Sequence, residues 1–208
     1  YEGMQDIPNA FFSYNVAYRR DSLDAQTVAR IANIFNNNRQ FTDAIDVTEC
    51  YRLSDTTSVD VNRQNAKAYC MLKDYKKAIE RYESLKRMGD RSFLTFYYLG
   101  ISYYGDNWFY GSYDNLKEAY AKNSTDINVL YYYAKSCSRT SWKKEGVEFM
   151  EKAVEIATPG DSILERLYKG LAECYGYAGE SYKKIEVMNR LYKLNKDYKL
   201  FYSIGQSF

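Results

Sequence analysis

Phe96-Tyr97-Tyr98-Leu99-Gly100-Ile101-Ser102-Tyr103 is the stretch that decides the fold. Its residues 96, 99, 100 and 103 stand three and four apart, the spacing of one helical face. Gly100, in the middle of that face, leaves room for a neighbouring helix to come close. The same phase returns on both sides. Ala32, Ala66, Gly100 and Ala134 lie at successive steps of 34 residues. A second small-residue series, Ala10, Ala44, Ala78, Ser112 and Gly146, runs at the same step, and from Ala44 on each member stands 12 residues after its partner in the first. Bulky residues keep the phase too: Phe35, Tyr69 and Tyr103, then Cys137; Ile7, Phe41, Tyr75 and Phe109; Tyr14, Tyr82, Leu116 and Met150. Several independent series with one period mark a repeat architecture.

Each period reads as two helices. The first carries the face just quoted. Polar turn residues follow, as in Asn36-Asn37-Asn38, Lys73-Asp74, Gly105-Asp106-Asn107 and Ala178-Gly179-Glu180. The second helix is typified by Tyr75-Lys76-Lys77-Ala78-Ile79-Glu80-Arg81-Tyr82-Glu83-Ser84-Leu85. Pro159-Gly160-Asp161 ends one such helix, and Ser162 with Glu165 offers a capping box for the next. A residue no larger than Ala on each helix lets the two axes approach, while Tyr, Phe and Leu fill the flanking grooves. One hairpin cannot bury both of its faces, so the unit must stack.

On these residues the chain resembles the tetratricopeptide-repeat family. That family's first-helix signature, an aromatic followed by Leu-Gly and then Tyr, is met by Phe96, Leu99-Gly100 and Tyr103. Its second-helix signature, Ala with an aromatic four residues on, is met by Ala10/Tyr14 and Ala78/Tyr82. The resemblance implies an all-α, right-handed solenoid of about five antiparallel hairpins, with repeats at 25–58, 59–92, 93–126, 127–160 and 161–197 in one domain spanning 1–208. Two places depart from it. Asn62 and Asn65 stand where the first helix of 59–92 should be apolar, which puts its packing in doubt. The last repeat slips by about four residues: Leu171-Ala172 and Tyr175 match, but Ile185 replaces the small residue, so a longer first helix or a shifted turn is expected. Residues 1–23 read as a second helix without its first, and 198–208, with Phe201, Ile204, Gly205 and Phe208, as a first helix without its second. The expectation is a piece of a longer solenoid, or self-association through apolar ends.

Chemistry finds little support. With no histidine in the chain, Ser-His-Asp and Cys-His arrangements and His-based zinc sites are excluded. Gly160-Asp161-Ser162 serves as a repeat boundary and lacks the later histidine that a hydrolase of that motif needs. Cys50, Cys70, Cys137 and Cys174 have neither disulfide-scaffold nor metal-ligand spacing and read as four core thiols. A net charge of +2 gives no broad case for nucleic acid or membrane, and no apolar run is long enough to span a bilayer. No catalytic residue, cofactor or metal is expected.

In tetratricopeptide proteins the first helices line a concave groove that holds a peptide or partner helix. Mapped here, the resemblance selects Asn33, Asn36 and Asn37; then Arg63, Lys67 and Met71; then Tyr97, Ile101 and Tyr104; then Tyr131, Lys135 and Arg139; and Lys169 beyond them. The carboxylate clamp of chaperone-binding members is broken at Ala29/Asn33, Gln64 and Leu94/Tyr98. Such a face suits a protein or peptide partner of acidic character with an apolar anchor, since tyrosines give contact area and Arg and Lys meet carboxylates. Reversing Arg63, Lys67 and Lys135 together is then expected to weaken binding with the fold intact. The competing readings are a substrate-recruiting or regulatory segment of a larger enzyme and, less favoured by the charge, an RNA-reading helical repeat.

Overall fold

The computed structural model describes residues 24–158, 160 and 162–195; the expectations for 1–23 and 198–208 lie outside them. The described residues form ten α-helices and no strand. The chain divides into two compact units, Tyr1–Asp106 and Asn107–Phe208. The first holds α1 (Ala25–Asn37), α2 (Phe41–Arg52), α3 (Val59–Met71), α4 (Tyr75–Arg87) and α5 (Phe93–Gly105). In it α1 packs on α2 and α3, α3 also on α2, α4 and α5, and α4 on α5. The second holds α6 (Phe109–Lys122), α7 (Ile127–Ser138), α8 (Lys143–Ile156), α9 (Ile163–Ala178) and α10 (Ser181–Asn195). There α7 packs on α6, α8 and α9, while α9 also packs on α8 and α10.

Local chemistry sets the helix starts. Asp24 accepts from the backbone N–H of Gln26 and Thr27, Ser58 from Val61, Ser92 from Thr95, and Asp126 from Asn128 and Val129. These four N-caps recur at the 34-residue step, and each is worth roughly 1 kcal/mol. The series stops there: the next step falls on Gly160, and the last hairpin's first helix starts after Ser162 instead. Ser162 is already helical in φ and ψ and makes no side-chain cap bond, so the capping box expected with Glu165 does not form. Turns obey the same period: Arg39, Lys73 and Asn107 all take a left-handed conformation, with φ of 60°, 64° and 63°.

The small residues are where helices meet. Ala32, Ala44, Ala66, Ala78, Ser112 and Ala134 are all closed to solvent. Around them Tyr69, Tyr82, Leu85, Leu99 and Tyr103 build a core in the first unit, and Leu130, Val147, Met150, Leu167 and Leu171 one in the second. Asn62 and Asn65 are buried as well. Their packing is polar rather than loose: the Asn65 amide donates to Thr48 Oγ1 (2.8 Å) and Glu49 Oε1 (3.0 Å) and accepts from Arg81 Nε (3.2 Å). One thiol departs from expectation. Cys70, Cys137 and Cys174 are buried, but Cys50 is exposed, because it falls on the outward side of α2. In the last hairpin α9 has 16 residues, where α1, α3 and α5 have 13 and α7 has 12.

Candidate protein-binding faces

In the first unit the selected residues fall on α1, α3 and α5. Asn33 is half-buried and Asn37 exposed, but Asn36 is 4% exposed. Its amide donates to the backbone carbonyl (3.0 Å) and Oε1 (3.1 Å) of Gln64, so it braces α1 against α3 and is not part of an open face. Arg63 is committed too. It reaches Asp60 at 2.7 Å and Asp90 at 2.9 Å, and the Asp90 carboxylate is almost fully enclosed. Burial pushes Asp90 up, but hydrogen bonds from Thr95, the Ser92 backbone N–H and Arg63 outweigh it and hold the carboxyl below its ordinary range.

Lys67 differs from its neighbour. Its Nζ donates to Asn37 Oδ1 at 3.3 Å, and no carboxylate lies within ion-pair reach among the described residues. Burial alone lowers its pKa. Beyond it Tyr97, Ile101 and Tyr104 are half-buried along α5, with Tyr97 stacked on Phe93 at 5.7 Å between ring centroids. Met71 is exposed.

In the second unit Tyr131 and Lys135 on α7, and Arg139 capping its end, meet side chains of α9. Arg166 donates to Asn128 Oδ1 (3.3 Å), Lys135 pairs with Glu173 (2.8 Å), and Arg139 sits over the Tyr177 ring (5.5 Å). Each pair is 38 residues apart, the 34-residue period plus the slip of four. Arg166 also lies over Tyr131 at 4.0 Å and Tyr132 at 5.3 Å, and Arg139 over Phe109 at 4.3 Å. Lys169 is tied to Glu165 at 2.5 Å. The sequence reading missed Arg166, Glu173 and Tyr177. Carrying the slip it noticed across the whole first helix finds Glu173 and Tyr177 from Lys135 and Arg139, whereas Arg166 answers to Asn128, a position outside the selected register. Beside them Ala172, Gly176, Tyr177, Met188 and Leu191 line a cavity of about 460 Å³ between α9 and α10.

Among the described residues no group of three or more Cys, Asp or Glu side chains is placed to hold a metal ion, and no helix is long and apolar enough to cross a membrane. Burial pushes the Cys70 and Cys174 thiols up to about 11, far from an activated nucleophile.

No protein-family model matches the chain, and no curated protein matches it either. Solved structures do. YrrB, a TPR protein with an unusual peptide-binding site, superposes with a TM-score of 0.77 at 16% identity, over 93% of this chain and 97% of its own. MamA from Desulfovibrio magneticus RS-1 gives 0.70 at 15% identity, over 83% and 95%. A tetratricopeptide repeat protein from Parabacteroides merdae ATCC 43184 gives 0.68 at 15% identity, over 92% and 74%. The chain has the all-α helical-repeat fold of the tetratricopeptide solenoids.

Proposed function

We propose that this chain is a protein-interaction scaffold that holds a peptide or a partner helix on the faces of its first helices. One observation carries the reading. Tyr97, Ile101 and Tyr104 on α5, and Tyr131 on α7, keep part of their surface exposed next to cores that bury Tyr82, Leu99 and Leu130 completely. Large rings left partly in water on a rigid helix offer contact area at little conformational cost. YrrB, with the same fold, is a protein with a peptide-binding site. Mixed charge on these faces, with Asp60 and Glu173 among the cations, favours a polypeptide over an RNA backbone. Selection of a random-peptide display library on the full chain tests this. Enriched peptides should lose binding to a variant with Tyr97→Ser and Tyr104→Ser, or to one with Tyr131→Ser. A library that yields no binder would sink the proposal.

A further inference from the structure

The second unit carries more positive charge on its α7–α9 face than its own carboxylates neutralise. Lys135 is paired with Glu173, and Lys169 with Glu165. Arg139 and Arg166 have no carboxylate within ion-pair reach among the described residues. Each guanidinium instead lies close over an aromatic ring, Arg139 over Phe109 at 4.3 Å and Arg166 over Tyr131 at 4.0 Å, and Arg166 also donates one N–H to Asn128 Oδ1. A ring against the face of the group restricts it and leaves the remaining N–H groups for a planar anion. A guanidinium held in this way loses little freedom when a carboxylate arrives, and the charge-assisted pair is among the stronger polar contacts available.

Spacing then says what kind of anion fits. Arg166 sits over Tyr131 on α7, eight residues before the C-cap Arg139, which at 1.5 Å per residue is on the order of 12 Å. An extended peptide covers that distance in about four residues at roughly 3.3 Å each. The cavity, whose apolar floor is rimmed by Lys169 and Lys184, joins the same surface, because Glu173 and Tyr177 line it while also meeting Lys135 and Arg139. At Gly176 the cavity is open because there is no side chain: a Cβ there would meet only Lys184 Cδ, at 3.8 Å.

We infer that the second unit binds an extended peptide bearing two acidic residues about four positions apart, one on Arg166 and one on Arg139, with an apolar side chain next to the latter in the Ala172–Gly176–Tyr177–Met188–Leu191 cavity. This rests on the scaffold reading and specifies the partner for one of its faces.

The test uses the full chain and a random-peptide display library, followed by fluorescence anisotropy with labelled synthetic copies of the enriched peptides. Enriched sequences should carry the acidic pair and a neighbouring Leu, Ile or Phe. Arg139→Gln and Arg166→Gln should each weaken them about tenfold or more, with a partial loss for Arg139→Lys, which keeps charge but not the planar fork. Gly176→Leu should abolish the apolar preference while leaving the urea midpoint unchanged or higher, since Leu favours helix over Gly. Peptides that bind without an acidic pair, or that ignore all four variants, overturn this inference and leave the scaffold reading standing. A wild-type chain that enriches no peptide overturns both. A single-stranded oligouridylate that binds with the same dependence on Arg139 and Arg166, and displaces the peptides, would assign the face to nucleic acid instead.

Discussion

The carbonyl oxygen of Ala134 lies 2.7 Å from the point where a methyl group on Gly146 would sit. The two residues belong to the two small-residue series, 12 positions apart, and they mark where α7 and α8 cross. Ser138 closes the other sides of that point, with its Oγ at 2.5 Å and its backbone N at 3.0 Å. Main-chain atoms cannot swing away as a side-chain end can. Gly146→Ala should therefore cost about 1–3 kcal/mol, partly offset by the roughly 1 kcal/mol that Ala gains over Gly within a helix. Gly170→Ala should cost less, because its neighbours are side chains, the end of Met150 at 2.8 Å and the edge of the Tyr131 ring at 2.9 Å, rather than backbone. Urea midpoints decide between them, and a Gly146→Ala midpoint at or above wild type would mean that the crossing is looser than described.

A polar knot replaces apolar packing between α2, α3 and α4. Glu49 takes hydrogen bonds from Asn65, Tyr69 (3.2 Å) and Arg81 (3.2 Å). Asn65→Leu restores the residue type expected at that position but removes one bond each from Thr48, Glu49 and Arg81, which keep their bonds to the Ala44 carbonyl, to Tyr69 and to Glu80, and it should cost about 1–3 kcal/mol.

The same knot gives a pH signature. Burial pushes Glu49 up, yet Arg81 and the Asn65 amide outweigh it, so the folded pKa lies below the ordinary value of 4.5. A depressed folded pKa contributes stability that is full above 4.5 and is lost as pH falls through the folded value. The gap in urea midpoint between wild type and Glu49→Gln should thus be widest near neutral pH and shrink in acid. A gap that stays constant from about pH 7 to pH 3 would contradict the assignment.

How much of this was legible beforehand depends on what each position demands. Ala32, Ala66 and Ala134 announced themselves because a tight crossing accepts only small residues, and few residue types meet that demand. Asn65 did not, since a buried amide is read correctly only when Thr48, Glu49 and Arg81, all distant in sequence, are known to surround it. Asn36 looked like a groove residue because its register is that of the open face, but proximity to Gln64 turned it inward. The N-caps Asp24, Ser58, Ser92 and Asp126 were written plainly at the repeat period and went unread. Arg39 and Lys73 could not be read at all, for neither residue type signals a left-handed backbone.

Those two turns make a direct prediction. A β-carbon in the left-handed region is disfavoured, and Asn or Gly occupies it more readily than Lys or Arg. Lys73, at φ 64°, precedes the capping residue Asp74 of α4 and is exposed. Lys73→Gly should raise stability by about 0.5–1 kcal/mol, and Lys73→Asn by somewhat less. Combining it with Arg39→Gly should add nearly the full second increment, since each turn is local. A lower thermal midpoint for either single variant would argue against the left-handed assignment.

The thiols should separate cleanly. Cys50 is exposed, whereas Cys70, Cys137 and Cys174 are buried, and burial pushes their thiol pKa values up. Native protein treated with a maleimide at neutral pH should take up one label quickly among these four, and Cys50→Ser should abolish that fast phase. Denaturation should release the other three. Fast labelling of Cys137 in the native state would mean that the α7–α8 core opens readily.

Arg63 and Lys67, one helical turn apart on α3, should respond oppositely to substitution. Reversing both along with Lys135 was expected to leave the fold intact, but Arg63 bridges Asp60 and the enclosed Asp90. Arg63→Glu would set a third carboxylate against those two, and Asp90 would keep only its bonds from Ser92 and Thr95. The loss should be about 2–3 kcal/mol, visible as a lower urea midpoint and steeper in low salt. Lys67 holds no carboxylate, and its ammonium is partly desolvated. Lys67→Met removes a charge that burial already disfavours while keeping the aliphatic stem, so stability should stay level or rise slightly. Any drop in ligand affinity on Lys67→Met can then be assigned to the face itself, which Arg63 variants do not allow. A Lys67→Met midpoint well below wild type, with Arg63→Glu unchanged, would reverse the roles given to the two residues.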